Sequence, residues 1–124
     1  MLDSKGEGSV HVFRTPSSAE QGVISVLLGA KFPGDSALRE QMAKARVRTI
    51  DVDGSLEISV EDGPRAEVAQ RIPVEAVAAD RDGMPIHILL HVVDGMLQEL
   101  EYFREDSRPV EQPPAKDDLQ VLVL

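Results

Sequence analysis

From Met84 to Arg104 the chain reads MPIHILLHVVDGMLQELEYFR, two apolar, β-rich runs on either side of Asp94-Gly95. An Asp-Gly pair between alternating hydrophobic residues is the strongest short hairpin signal. The pattern predicts the spine of an antiparallel sheet. Two registers compete. A two-residue loop sets Leu90 opposite Glu99 and Ile88 opposite Glu101, which puts carboxylates on the richest apolar face. A three-residue loop, Val93-Asp94-Gly95, with Gly95 left-handed in a bulge, shifts the pairing by one. Val92 then faces Met96, Leu90 faces Gln98, Ile88 faces Leu100 and Ile86 faces Tyr102. The second face carries His91 with Leu97, Leu89 with Glu99 and His87 with Glu101. A one-residue slip exchanges the two faces, so the pattern favours the bulged loop, which leaves one oily face and one mixed face.

Upstream, Val10 to Phe13 alternates weakly and suggests a short edge strand after a small, polar N-terminus. Thr15-Pro16-Ser17-Ser18 opens a helix. Either Thr15 caps it with Pro16 at the first position, or Ser18 caps it with Gln21 completing a capping box. Val23, Ile24, Leu27 and Leu28 form one apolar stripe at helical spacing, and Gly29 stands where that helix should stop. After Phe32-Pro33-Gly34, Asp35 or Ser36 can cap a second helix with Leu38, Met42 and Ala45 on one face and Arg39, Glu40 and Lys44 in water.

From Val47 the period changes from 3.6 to 2. Val47 to Val52 is β-rich, Leu56, Ile58 and Val60 alternate with polar neighbours, and Ala66, Val68, Gln70 and Ile72 do the same up to Pro73. Val74 to Ala79 suits a strand or a helical turn. Asp-Gly pairs at 53-54, 62-63, 82-83 and 94-95 punctuate this half of the chain, which favours short antiparallel connections over βαβ crossovers. The expected fold is α+β: two N-terminal helices packed on one face of a five- to six-stranded antiparallel meander sheet. The chain then reads as one domain, with a flexible or edge-strand N-terminus at 1–14, a core at 15–104, a proline- and charge-rich linker at 105–118 and a C-terminal strand at 119–124. That last run, QVLVL after Leu119, should pair with a sheet edge or another chain, because an exposed apolar strand is a liability.

Composition narrows the function. The 124 residues include 22 acidic and 13 basic side chains, a formal net charge of -9. Such a surface repels phosphate backbones and anionic membranes, so neither nucleic acid nor membrane is expected as a partner. Four aromatic residues, Phe13, Phe32, Tyr102 and Phe103, are too few for a base-stacking platform. The absence of cysteine removes disulfides, thiolate catalysis and zinc-thiolate sites. No apolar run approaches membrane-spanning length, and the N-terminus lacks a signal-peptide core, so a cytoplasmic location is expected.

Each candidate for chemistry has a plain alternative. His87 and His91 would share a metal four apart on a helix, but on a strand they lie about 13 Å apart. His87 facing Glu101 survives as a cross-strand pair. Asp51-x-Asp53-Gly54-Ser55-x-Glu57 and Asp80-x-Asp82-Gly83 resemble pieces of a calcium loop. However, the twelfth residue from Asp51 is Asp62 where such a loop closes with glutamate, and turn chemistry accounts for both. Glu99, Glu101, Glu105 and Asp106 form an acidic stripe suited to recognising a basic partner. No nucleophile elbow, phosphate loop or dinucleotide fingerprint is present. No catalytic residue, metal or cofactor is expected, and His87, His91, Glu99, Glu101 and Glu105 are the candidate interaction surface.

Four motifs taken in order resemble a known pattern. These are EQGVISVLL (Glu20–Leu28), D-x-D-G-S-L-x-I (Asp51–Ile58), D-x-D-G (Asp80–Gly83) and D-G-x-L-x-E-L-E-Y (Asp94–Tyr102). The chain resembles small bacterial domains of unknown function, common in actinobacteria, that end in a G-x-L-x-E-L-E-x-x-R-x-D hairpin. The likeness covers residues 15 to 110 and implies a fold, with no residue roles to transfer. With the acidity, it leads to the expectation of a non-enzymatic protein-interaction module, immunity-like inhibition of a basic partner being the sharpest form. The alternative is a homodimeric structural or small-ligand-binding protein joined through its C-terminal strand.

Overall fold

A computed structural model describes residues 12–124. Val10 and His11 of the expected first strand lie outside them. The chain meets the sheet at Arg14, whose backbone exchanges hydrogen bonds of 2.8 and 2.7 Å with Val47.

Helix α1 spans Ser18–Leu28 and α2 spans Asp35–Met42. The cap of α1 is Ser17, not Thr15 or Ser18. Its Oγ accepts from Glu20 N at 3.1 Å, and Glu20 Oε1 accepts from Ser17 N at 2.8 Å. Glu20 brings a full negative charge to the positive end of the helix, which neutral Gln21 cannot. Gln21 instead donates to Pro16 O at 3.1 Å. Val23, Ile24, Leu27 and Leu28 are buried as the stripe predicts, and Gly29 is the C-cap. The N-cap of α2 is Gly34, left-handed at φ 90°, and Asp35 is the first helical residue. Its buried pair is Leu38 with Gln41; a glutamine fully inside was not expected.

Six strands follow: β1 Arg46–Thr49, β2 Leu56–Ser59, β3 Val74–Ala79, β4 Pro85–Val93, β5 Met96–Arg104 and β6 Gln120–Val123. All pairings are antiparallel, in the order β1-β2-β5-β4-β3-β6. The α+β class, the two leading helices and the six-stranded sheet stand as expected, although the strands are not in chain order. The segment 60–73 must carry the chain from beside β5 to the far side of β4. Residues 66–72, expected as a strand, are therefore an irregular crossing over the hairpin end. Ala66 N donates to Gly95 O there at 2.8 Å. The alternation was misleading because only Ala66 of that set is buried. The undecided run, Val74 to Ala79, is β3, with Val74, Ala76 and Ala78 pointing inward.

The inward residues of β4, namely Ile86, Ile88, Leu90 and Val92, pack with the apolar stripes of both helices. The helices cover this face alone.

The hairpin corrects both candidate registers. Its turn is the tight two-residue form, with Asp94 at φ 52° and Gly95 at φ 77°, as a type I′ turn requires. Val93 pairs with Met96 and Val92 with Leu97. A bulge at Gln98 then shifts the ladder, so that His91 pairs with Glu99, Leu90 with Leu100, Ile88 with Tyr102 and Ile86 with Arg104. The extra residue lets Leu97 and Leu100, three apart, both face the core. Two N–H groups beside the bulge find acceptors outside the ladder. Leu97 N donates to Gln41 Oε1 at 2.9 Å, and Val92 N donates to Arg71 O at 2.7 Å. The Gln41 amide also donates to Pro64 O at 2.7 Å and Gly95 O at 2.8 Å. Helix α2 thus holds turn and bulge together.

Residues 105–118 pack on the fold despite their proline and charge. Val110 N donates to Asp53 Oδ1 at 2.8 Å, and a 3-10 helix, Lys116–Asp118, lies against α1 at Gly22. The closing apolar run pairs with a sheet edge, Val121 opposite Ala76 and Val123 opposite Val74. No helix among the described residues is long and apolar enough to cross a membrane.

Candidate functional site

Beyond the bulge, Leu100, Tyr102 and Arg104 point inward, while Glu99, Glu101 and Phe103 point outward. Two polar assemblies follow from this alternation, one on each face.

The inner assembly centres on Arg104, whose side chain is 2% exposed. Its Nε donates to Asp106 Oδ1 at 3.0 Å. Nη1 donates to Asp80 Oδ2 at 2.9 Å and Asp82 Oδ1 at 3.1 Å, and Nη2 to Asp82 Oδ2 at 3.0 Å and Asp106 Oδ2 at 2.7 Å. All five guanidinium N–H groups are used. Asp80 also accepts from the backbone N–H groups of Arg81, Glu111 and Gln112, which ties residues 111–112 to the β3–β4 turn. Burial alone would raise the Asp80 pKa, but those hydrogen bonds and Arg104 outweigh it and hold the carboxyl well below its usual range. Arg104 and the Arg108 N–H hold Asp106 down at about 2. Arg104 likewise lowers Asp82. Burial, then the Glu20 charge, raises Tyr102 to about 12.

The D-x-D-G run at 80–83 is therefore the socket of an internal cation. Asp51 Oδ1 accepts from Asp53 N and Ser55 N at 3.0 Å each, so the upstream motif shapes its own turn.

The outer assembly lies on the sheet face away from the helices. Across the strands the register sets Arg48, Glu57, Glu99 and His91 in one row. Glu101, Leu89, Glu75 and Leu122 form the next, and Phe103, His87, Val77 and Gln120 the third. All five residues of the expected interaction surface sit on or beside this face, in two groups. His87 stacks on Phe103 with ring centroids 5.0 Å apart, and its Nε2 lies 2.9 Å from Glu105 Oε1. The expected His87–Glu101 pair does not form, because the register sets Glu101 opposite Leu89, two residues along, from where its carboxylate reaches His91 diagonally. His91 Nε2 lies 2.8 Å from Glu101 Oε1, and Arg71 Nε donates to His91 Nδ1 at 3.0 Å. Arginine cannot accept, so Nδ1 is the bare nitrogen and Nε2–H donates to Glu101.

Glu99 stands directly opposite Glu57, a like-charge pairing that costs stability. Arg48 relieves Glu57 through Nε at 2.7 Å and Nη2 at 2.6 Å. The Glu99 carboxylate makes no hydrogen bond or ion pair among the described residues. His91, Glu99 and Glu101 each bring one ligand-capable atom to within 4.8 Å of the others. These three could hold a metal ion; His87, at the far end of the strand, could not join them.

Sequence reasoning missed Arg71, which reaches this face from the irregular crossing. It also missed the Asp80–Arg104 assembly, although an arginine in step with Leu100 and Tyr102 was a usable signal for a buried ion pair.

No curated protein and no solved structure matches the chain. A family model, the domain of unknown function DUF6984, matches residues 13–114, which takes in the inner assembly and all of the outer one except Gln120 and Leu122. The chain belongs to the DUF6984 family.

Proposed function

We propose that this chain is a non-enzymatic protein-interaction module that meets a basic partner through the open face of its sheet, in the manner of an immunity-like inhibitor. The observation that carries this reading is the one-sided covering of the sheet. Both helices pack on the inner face, and the outer face presents Leu89, Val77 and Phe103 rimmed by Glu75, Glu99, Glu101 and Glu105. An apolar strip with an acidic rim, on a chain of net charge -9, suits a partner of opposite charge and would steer its approach.

A second reading rests on β6. Its residues are all exposed and none is charged, and Val121 to Leu124 are 37–54% exposed along a free strand edge. Edges of this kind accept another strand, here that of a second copy.

One experiment separates the two. The native chain and a Glu99→Lys/Glu101→Lys chain are compared as bait, and both are weighed by light scattering. The first reading predicts a basic protein held by the native chain, released by about 0.5 M salt and lost from the double variant. A native chain that holds nothing, or the same proteins as the variant, contradicts it. A dimer that becomes a monomer when residues 119–124 are deleted favours the second reading.

A further inference from the structure

We propose that His91, Glu99 and Glu101 form a binding site for a divalent transition metal, with zinc as the reference ion. The site needs no protein partner and stands whether or not the docking reading does.

The bulge is the first support. In an unbroken two-residue hairpin Glu99 and Glu101 would point into the core. The single extra residue at Gln98 turns both outward and sets Glu99 opposite His91, with Glu101 diagonal to it. The ligand atoms already lie within 4.8 Å of one another, and Nε2 is 2.8 Å from Glu101 Oε1. Metal–ligand bonds of about 2.0–2.2 Å need ligand atoms about 3.4 Å apart. Rotation of two half-exposed glutamates supplies that change.

Electrostatics is the second support. Glu57, Glu99 and Glu101 crowd one end of the sheet face, and Arg48 and Arg71 are the cations beside them. The Glu99 carboxylate has no hydrogen-bond or ion-pair partner among the described residues and lies opposite a like charge. It is the group a cation would relieve most.

The donor set decides the ion. One imidazole nitrogen and two carboxylate oxygens suit zinc and its neighbours, whereas calcium prefers six to eight oxygens. Three protein ligands leave a position open to water.

Arg71 sets the cost of binding. While it donates to Nδ1, the proton sits on Nε2, the nitrogen that must bind. Ligation moves that proton to Nδ1 and expels Arg71, so Arg71 opposes the metal both by tautomer and by charge.

Zinc alone, titrated calorimetrically into the full chain, tests this. One equivalent should bind. His91→Gln and Glu99→Gln should each weaken binding at least tenfold, and Asp62→Asn, an exposed acid on a distant loop, should leave it unchanged. Arg71→Gln removes the charge and offers an acceptor to Nδ1–H, so it should tighten binding severalfold, a gain that misfolding cannot produce. The His91 nitrogen resonances should show Nε2 ligated and Nδ1 protonated. Binding no tighter in the native chain than in His91→Gln, or weakened equally by Asp62→Asn, or loosened by Arg71→Gln, would overturn the proposal.

Discussion

Replacing Arg104 by methionine lowers the melting temperature by on the order of 15 °C at neutral pH, the largest effect of any single change expected here. Methionine fills much of the space of the arginine stem, so the loss is electrostatic more than steric. It leaves Asp80, Asp82 and Asp106 facing one another around an empty charge. Asp80 has a fully buried side chain and keeps only its backbone donors. Truncating one side of a buried ion pair is far more costly than never having built it.

The pH dependence has a definite sign. In the native chain these carboxyls are held below their ordinary values. Their contribution is complete above about pH 4 and is lost as pH falls toward 2, the value of Asp106. Without Arg104, each carboxyl loses its charged donor and faces two like charges, so the carboxyls gain protons more readily, and acid relieves the variant while it weakens the native chain. The difference in melting temperature should therefore narrow from pH 6 to pH 3. A difference that stays constant or widens would mean that Arg104 acts by packing.

Gln41→Leu destabilises the fold by about 3 kcal/mol in urea denaturation. Leucine is close to glutamine in size, so the side chain still fills its place. The loss comes from the hydrogen bonds to Pro64 O and Gly95 O and from Leu97 N. Gly95 O keeps Ala66 N, so the heaviest cost falls on Leu97 N–H and Pro64 O, at about 1–3 kcal/mol for each buried group left unpaired. Hydrogen exchange gives a local reading. The Leu97 amide should lose far more protection than amides in the middle of β3. Equal loss at both places would assign the effect to general destabilisation. Because Gln41 holds the bulge, this change on a helix also disturbs the carboxylates on the opposite face of the sheet.

Much of the fold could be read from apolar spacing. The stripe of α1, the inward set of β4 and the Asp94-Gly95 turn are all local patterns, and local patterns survive folding. The register could not be read from the turn alone, since the turn and the bulge each shift it. The clue lay further along: Leu97, Leu100 and Tyr102 can share a face only if one residue is extra. Residues 66–72 misled because alternation marks a strand only where a partner strand waits, and here the chain is crossing between two sheet positions. Gln41 and Arg104 escaped because hydrophobic periodicity reads polar side chains as surface. Their partners lie 54 and 24 residues away, at Gly95 and Asp80, beyond any local pattern. Arg71 reaches His91 from an irregular segment and left no signal at all.

The outer face, its carboxylates and both functional proposals depend on where Gln98 sits. Cross-strand nuclear Overhauser effects along the hairpin test this directly. Contacts joining Val92 to Leu97, and His91 to Glu99 with Leu90 to Leu100 beyond them, are the predicted result. Contacts joining Leu90 to Gln98 or to Glu99 would return the glutamates to other positions and contradict the account.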